Sequence, residues 1–273
     1  MKSVLPFFAL VLTIWGCNPE KSPNQKLKLK GSESMHSVFM DLKENFEKSQ
    51  PHIQLEIEGG GSRTGLEAIK ENQADIGLSS FAFDLERELG TNHGILEKTV
   101  AFDGIVLITN EHNPLDSLTD DQIERIYEGS IYDWGQLGGN PGNIIPITRD
   151  ENSGTQRFFT DHFAIEKLSS TAVVSDENKD ILNRVQGNIN AIGFIGFAYF
   201  TQGVHELKLA TEDSNGYRSP TKRNLQNNSY PLKRGLRVYY RNSNNEAVNQ
   251  FIHYLETTEA QTIIESYGLI ANH

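Results

Sequence analysis

The first eighty residues repeat one pattern, in which an apolar strand runs into a loop of small polar residues and then into a helix. Residues 27–30 alternate in polarity as a strand does, and the loop 31–35 follows. After a helical stripe of apolar residues, a second strand ends in the glycine-rich loop 59–65. A third strand ends at Ser79 and Ser80. This pattern is typical of an open, largely parallel α/β sheet, which binds ligands at the carboxyl ends of its strands.

The rest of the chain predicts a second lobe. Residues 101–110 form a long apolar run that we interpret as a strand crossing between two lobes. Residues 143–148 read as another strand, which leads into a fourth polar loop at 149–155, whereas residues 211–230 are polar and predict a surface loop. We predict one lobe built from residues 27–103 and 203–273 and a second lobe built from residues 104–202.

The fourth loop carries the strongest chemical signal. Ser153, Gly154 and Thr155 stand where a loop should turn into a helix, and a helix start offers unpaired N–H groups and a partial positive charge. Gly154 lets a ligand approach the backbone, and Arg149 adds a planar cation that fits an oxyanion. Taken alone, the segment is better explained as an ordinary helix cap beside a surface arginine. The other three loops favour an oxyanion site.

Hydroxyls and glycines are concentrated in four loops, at residues 31–35, 59–65, 79–80 and 149–155. Three of these loops come before the predicted crossing strand and one comes after it. A dehydrated tetrahedral anion needs hydrogen-bond donors on every side, and two lobes that close on it can supply them from both halves. The pattern therefore predicts a ligand cleft between the lobes.

Composition and motif spacing argue against other classes of protein. The formal net charge of -11 makes nucleic acid a poor partner. The glycine-rich loop is not a nucleotide P-loop, because Leu66 and Glu67 stand where that motif needs a lysine and a serine or threonine. The eight histidines show no metal-ligand spacing, and no serine-hydrolase motif occurs. We expect a binding protein rather than an enzyme such as a phosphatase, with no metal and no cofactor.

The N-terminus predicts export. Residues 1–16 combine a minimal basic start with an apolar run that is too short to span a bilayer. The run ends at Cys17, the only cysteine, whose setting resembles a bacterial lipobox; a cleaved signal followed by an incidental cysteine is the alternative. We predict a lipoprotein signal peptide at residues 1–16, lipidation at Cys17 and a tether at residues 17–26. The protein would then be extracytoplasmic, in the periplasm or at the cell surface, and anchored to a membrane by lipid.

In their order and spacing, the four loops resemble the phosphate-binding receptors of bacterial phosphate ABC importers, the PstS-like group of type II periplasmic binding proteins. The matching segments are Gly31–Met35, Gly60–Gly65, Ala74–Ser80 and Arg149 with Ser153–Thr155. The resemblance implies a two-lobed fold with the ligand cleft between the lobes. It also implies a monomer that binds inorganic phosphate and delivers it to a permease with its ATPase, without performing chemistry.

The resemblance also implies which residues hold the phosphate. The principal candidates are Ser34, Met35, Ser62, Ser80, Arg149, Ser153, Gly154 and Thr155. Four further candidates are Ser32, Arg63, Thr64 and Asp103.

One position departs from the family pattern. Many members place an aspartate where this chain has Ser80, and that carboxylate accepts the proton of hydrogen phosphate and rejects sulfate. Here the acceptor must be the Ser80 hydroxyl or another group, for which Asp75 and Asp103 are candidates. One alternative is therefore a receptor for another tetrahedral oxyanion (sulfate, molybdate or a phosphonate). A second, independent of Ser80, is a phosphate-sensing lipoprotein that is not engaged in transport.

Overall fold

A computed structural model of the chain describes residues 25–211, 214–241 and 245–272. The predicted signal peptide, Cys17 and most of the predicted tether lie outside the described residues. Gln25 and Lys26, which we assigned to the tether, already pair with the second strand, so a tether would end before them. No helix in the described part of the chain is long and apolar enough to cross a membrane.

The described chain alternates strands and helices. The strands are β1 (Gln25–Gly31), β2 (Ile53–Glu58), β3 (Ile76–Ser79), β4 (Ile95–Asn110), β5 (Ser117–Leu118), β6 (Ile145–Arg149), β7 (Val173–Ser175), β8 (Ala191–Gly196), β9 (Val204–Glu206), β10 (Lys208–Thr211), β11 (Ser214–Arg218), β12 (Lys233–Arg241) and β13 (Ile270–Ala271). The α-helices are α1 (Glu33–Ser49), α2 (Ser62–Lys70), α3 (Leu85–Leu89), α4 (Asp120–Glu128), α5 (Gly154–His162), α6 (Asn178–Gly187), α7 (Lys222–Gln226), α8 (Glu246–Tyr254) and α9 (Thr258–Ser266).

One mixed sheet runs through both lobes, with the strand order β2-β1-β3-β12-β4-β8-β6-β7. β1 pairs in parallel with β2 and β3, and β6 pairs in parallel with β7 and β8, as the strand-loop-helix pattern predicts. The expectation of a largely parallel sheet fails in the centre, where β12 and β4 run antiparallel to both of their neighbours along that order. β4 is the predicted crossing strand: its first part pairs with β12 and its second part with β8.

Each lobe has its own apolar core. In the first, α1, α8 and α9 pack on β1, β2 and β3; the buried stripe of α1 includes Met35, Val38, Phe39, Leu42 and Phe46. In the second, α4 and α5 pack around Phe159, Phe194 and Trp134. Side chains that alternate along β4 reach different faces of the sheet, so that Ile105 belongs to this core and Val106 to a smaller one beneath α6.

The segment after β9 packs with the second lobe. We placed residues from 203 onward in the first lobe, but the second core contains Leu207, Leu209, Leu225, Tyr230 and Leu232. β10 also pairs with β5, which precedes α4. The predicted surface loop at 211–230 contains β11 and α7, because Leu225 and Tyr230 supply buried apolar side chains that its polar composition conceals. We therefore propose that the chain returns to the first lobe with β12.

Candidate functional site

The parallel pairing of β1 with β3 brings the first and third polar loops together. Gly31 at the end of β1 pairs with Leu78, and the Ser32 N–H donates to the Leu78 carbonyl at 3.0 Å. Gly31 has a φ of +141°, and a Cβ there would lie 2.1 Å from the Leu78 carbonyl oxygen. Only glycine fits this close approach of two strands. Ser32 and Ser80 therefore emerge side by side.

Three serines form the wall of the cleft that belongs to the first lobe. The Ser32 hydroxyl donates to Ser80 Oγ at 3.0 Å, and the Ser80 N–H donates to Ser62 Oγ at 3.0 Å. The hydroxyls of Ser62 and Ser80 are also 3.3 Å apart. All three side chains are buried. Ser32 precedes α1 and Ser62 begins α2, so two helix starts face the same point, and each start carries unpaired N–H groups.

α5 supplies the opposite wall. Ser153 caps α5, and its hydroxyl accepts from the Gln156 N–H at 3.3 Å. A Cβ on Gly154 would lie 2.2 Å from Ser62 Oγ and 2.8 Å from Ser80 Oγ. Thr155 Oγ1 lies 2.9 Å from Ser34 Oγ, although 121 residues separate them in the chain. The two lobes are thus closed on each other at the start of α5.

Arg149 is buried at the end of β6, with only 2% of its surface exposed. Its Nε donates to the Ser175 carbonyl at 3.1 Å, and its Nη2 donates to the Asp176 carbonyl. Its Nη1 is buried without a hydrogen-bond partner. The arginine therefore uses two of its three nitrogens to hold the loop after β7 and keeps the third for a further acceptor.

A second buried arginine, which we did not predict, lies where the two walls meet. Arg234 on β12 donates from Nη1 to Thr155 Oγ1 at 2.7 Å and from Nη2 to Ser34 Oγ at 3.1 Å. Nη2 also donates to Asp103 Oδ2 at 2.9 Å. A sequence signal for it exists: alternation along the strand places Arg234 on the same face as Leu232 and Leu236, both buried. An arginine at an inward position requires a buried partner.

Seven residues form what we call the interlobe cluster: Ser32, Ser34, Ser62, Ser80, Asp103, Thr155 and Arg234. Asp103 lies on β4, and its Oδ1 accepts from the Phe197 N–H at 3.1 Å. It thus connects Arg234 to the segment that follows β8. Burial raises the pKa of Asp103, and the adjacent Arg234 acts in the opposite direction.

The charge within the site is unbalanced. Among the described residues the buried ionised side chains are Asp103, Arg149 and Arg234, which leaves one positive charge without a buried partner. Asp150, the carboxylate nearest to Arg149, is 4.0 Å away and partly exposed. Burial lowers the pKa of both arginines, which reflects the cost of keeping each charge out of water. An anion between the lobes would balance this charge.

The other predicted residues have different partners. The Met35 side chain is buried in the first core, and its N–H donates to the Ser32 carbonyl at 3.1 Å. Arg63 forms two hydrogen bonds with Glu88 and lies over the Phe83 ring, so its guanidinium does not join the cluster. The Thr64 hydroxyl donates to the Gly61 carbonyl at 2.9 Å. Asp75 Oδ2 accepts from the Lys28 N–H at 2.8 Å.

Comparison with known proteins identifies the family. A family model described as the PBP superfamily domain matches residues 18–259. The phosphate-binding protein PstS of Borreliella burgdorferi is 24% identical, and the match covers 99% of each chain. A solved structure from Clostridium perfringens, whose name describes a phosphate ABC transporter substrate-binding protein with bound phosphate, is 32% identical. That match has a TM-score of 0.83 and covers 91% of this chain and 100% of the other.

This chain belongs to the PstS-like family of the PBP superfamily. An ABC-type phosphate transport receptor from Vibrio cholerae is also similar, with 28% identity and a TM-score of 0.76 over 90% of this chain and 100% of the other. These matches confirm the two-lobed α/β architecture. The one carboxylate within the interlobe cluster is Asp103.

Proposed function

We propose that this protein binds inorganic phosphate in the interlobe cluster and delivers it to the permease and ATPase of an ABC importer. The observation that carries the proposal is a buried excess of positive charge: Asp103 pairs with Arg234, and among the described residues Arg149 has no buried carboxylate partner. Hydroxyls from both lobes meet at Arg234. A charged hydrogen bond contributes about 1.5–3 kcal/mol, so several donors could bind an oxyanion tightly. The relatives named as phosphate-binding proteins support phosphate as the oxyanion.

We further propose that the protein performs no chemistry on its ligand. The hydrogen bonds of the cluster hydroxyls join them to one another, to backbone amides and to Arg234. Within the described residues none of these hydroxyls contacts a histidine that could act as a base, and catalysis by a serine nucleophile requires such a partner. The relatives are likewise named as binding or transport proteins.

The proposed setting is extracytoplasmic. A relative named as an ABC-type phosphate transport receptor supports this location, and the sequence around Cys17 predicts a lipid anchor there. We propose a monomer, since each lobe closes its own core and the ligand site is completed within one chain. Mass spectrometry of the mature N-terminus tests the anchor: an unmodified Cys17 would refute it.

Titration calorimetry on the chain from residue 25 onward tests phosphate binding. We expect saturable binding of phosphate at micromolar protein, and we expect phosphate to compete effectively against sulfate, molybdate and a phosphonate. Absence of heat with phosphate, together with absence of a phosphate-dependent shift in melting temperature, would reject the proposed function. Tighter binding of one of the competitors would assign the site to that oxyanion instead.

Arg149→Ala is expected to weaken phosphate binding by about 10- to 100-fold, because the variant loses a buried cation and the free donor at Nη1. It should also destabilise the second lobe, since the carbonyls of Ser175 and Asp176 lose their donor. Calorimetry and urea unfolding measure the two effects separately. Arg184→Ala is the control: Arg184 is exposed on α6 and pairs with Asp180, so neither quantity should change appreciably. Unchanged phosphate affinity in Arg149→Ala would contradict the role of Arg149.

A further inference from the structure

Arg234 has a donor that the protein leaves unused. Its Nη1 and Nη2 donate to Thr155, Ser34 and Asp103, whereas its Nε is buried without a hydrogen-bond partner. An unpaired buried N–H is costly, and a charged one is more so. The side chain also borders a cavity of about 600 Å³ that Ser80 lines as well. The Nε–H is therefore a donor that remains for a ligand.

Arg234 also determines where two hydroxyl protons point. A hydroxyl has one proton and two lone pairs. Ser34 Oγ and Thr155 Oγ1 each accept from Arg234, and the contact between them at 2.9 Å uses the proton of only one. The other hydroxyl keeps a proton that has no acceptor among these contacts. Because Arg234 cannot accept it, this proton is available to an anion.

Asp103 holds Arg234 in place and adds negative charge beside it. The two residues are opposite each other in the register of β12 and β4, and Asp103 Oδ2 accepts from Arg234 Nη2 at 2.9 Å. Asp103 Oδ1 accepts a hydrogen bond from the Phe197 N–H at 3.1 Å. An ionised carboxylate has about four lone-pair positions, so it can accept further protons. The pair therefore combines donors for an oxyanion with an acceptor and a negative charge.

We propose that Arg234 and Asp103 form the specificity-determining pair of this site, in which Arg234 contacts the bound oxyanion and orients Ser34 and Thr155, while Asp103 favours an oxyanion that still carries a proton. The proposal rests on the proposed phosphate-binding function. It explains how a chain with Ser80 could still prefer phosphate to sulfate, because hydrogen phosphate carries a proton for Asp103 and sulfate does not. Arg234 Nη1 lies 3.5 Å from the Ser80 carbonyl, which places the pair at the same wall of the cleft.

Two variants test the pair, with phosphate and sulfate titrated separately by calorimetry. In Arg234→Lys the charge stays, but one ammonium cannot span both hydroxyls and Asp103. We expect phosphate affinity to fall about tenfold or more. In Asp103→Asn the shape stays and the negative charge is lost. We expect the ratio of phosphate affinity to sulfate affinity to fall about tenfold, with sulfate binding retained or strengthened.

A matched control comes from the same strand. Arg237 pairs with Glu97 through Nε at 2.8 Å and lines the same cavity, but it does not contact the cluster hydroxyls. Arg237→Lys and Glu97→Gln should leave both phosphate affinity and the phosphate-to-sulfate ratio unchanged. Thermal melting without ligand checks that each variant is folded. If Arg234→Lys is unstable, the phosphate-to-sulfate ratio of Asp103→Asn still tests the proposal.

The outcomes separate this inference from the function on which it rests. If the wild-type protein binds no oxyanion, both the proposed function and the role of the pair are rejected. A different result is that the wild-type protein binds phosphate while the folded Arg234→Lys and Asp103→Asn variants keep its affinity and its phosphate-to-sulfate ratio. That result would overturn the proposed role of the pair and leave the proposed function standing. Loss of affinity in Arg234→Lys together with a lower ratio in Asp103→Asn supports the pair, because a merely structural role would not alter the choice between two anions.

Discussion

Gly154→Ala is expected to weaken phosphate binding by about 10- to 100-fold while leaving the two lobes folded. An added Cβ would lie 2.2 Å from Ser62 Oγ and 2.8 Å from Ser80 Oγ in the closed cleft. Overpacking of this kind costs about 1–3 kcal/mol. The clash exists only when α5 meets the serines of the first lobe, so an open conformation escapes it. The substitution should therefore act on closure and on the ligand.

Gly187→Ala is the matched control for this change. Gly187 ends α6 in the second lobe, and a Cβ added there would meet nothing within 4 Å. Phosphate affinity by calorimetry and the midpoint of urea unfolding without ligand should both stay close to wild type in this variant. Wild-type affinity in Gly154→Ala would show that the bound state does not bring α5 against Ser62 and Ser80.

Phe159→Ala should lower the free energy of unfolding by about 3–5 kcal/mol, the range for removing a fully buried phenylalanine. The ring stacks on Phe194 with centroids 3.9 Å apart and meets Tyr127 edge-on at 4.8 Å. Because Phe159 lies one turn beyond Thr155 on α5, the cavity should also loosen the start of the helix. Urea unfolding monitored by circular dichroism measures the loss.

Phe158→Ala provides the comparison, since Phe158 is the adjacent residue on the same helix but is only partly buried. Its ring is stacked with the ring of His162, and the two centroids are 6.1 Å apart. We expect a loss of about 1 kcal/mol or less, in the range for positions outside the core. Equal losses in the two variants would contradict the arrangement of α5 against the second core.

Much of the fold could be predicted because its signals are local. The alternation of residues 27–30 and the stripe from Met35 to Phe46 reflect the periods of a strand and a helix, and both elements are present. The spacing of Thr119 and Gln122 is likewise a local signal for a helix start, and in the structure the two residues form a capping box at the start of α4 with both of its hydrogen bonds. By contrast, the polar composition of residues 211–230 concealed α7, because burial of Leu225 and Tyr230 depends on distant parts of the chain.

The candidate site also combines features that are visible in the sequence with features that depend on distant residues. The glycines and hydroxyls that follow β1, β2, β3 and β6 could be found from sequence, since each follows a strand and precedes or caps a helix. The orientations of the Arg63 and Thr64 side chains could not be predicted from sequence. Arg63 pairs with the carboxylate of Glu88, and Thr64 donates to the Gly61 carbonyl. Arg149 illustrates both: its position was visible in the sequence, but its attachment to residues 175–176 was not.

The order of residues along the chain is enough to identify the loops that carry the donors, because turn chemistry and strand or helix periodicity are properties of neighbouring residues. The contact between Arg234 and Asp103 at the centre of those loops joins residues 131 positions apart and could be seen only in the folded chain. Their meeting depends on the antiparallel register of β12 with β4 and on closure of α5 over the first lobe. Both are long-range pairings, set by burial of whole surfaces rather than by any local pattern.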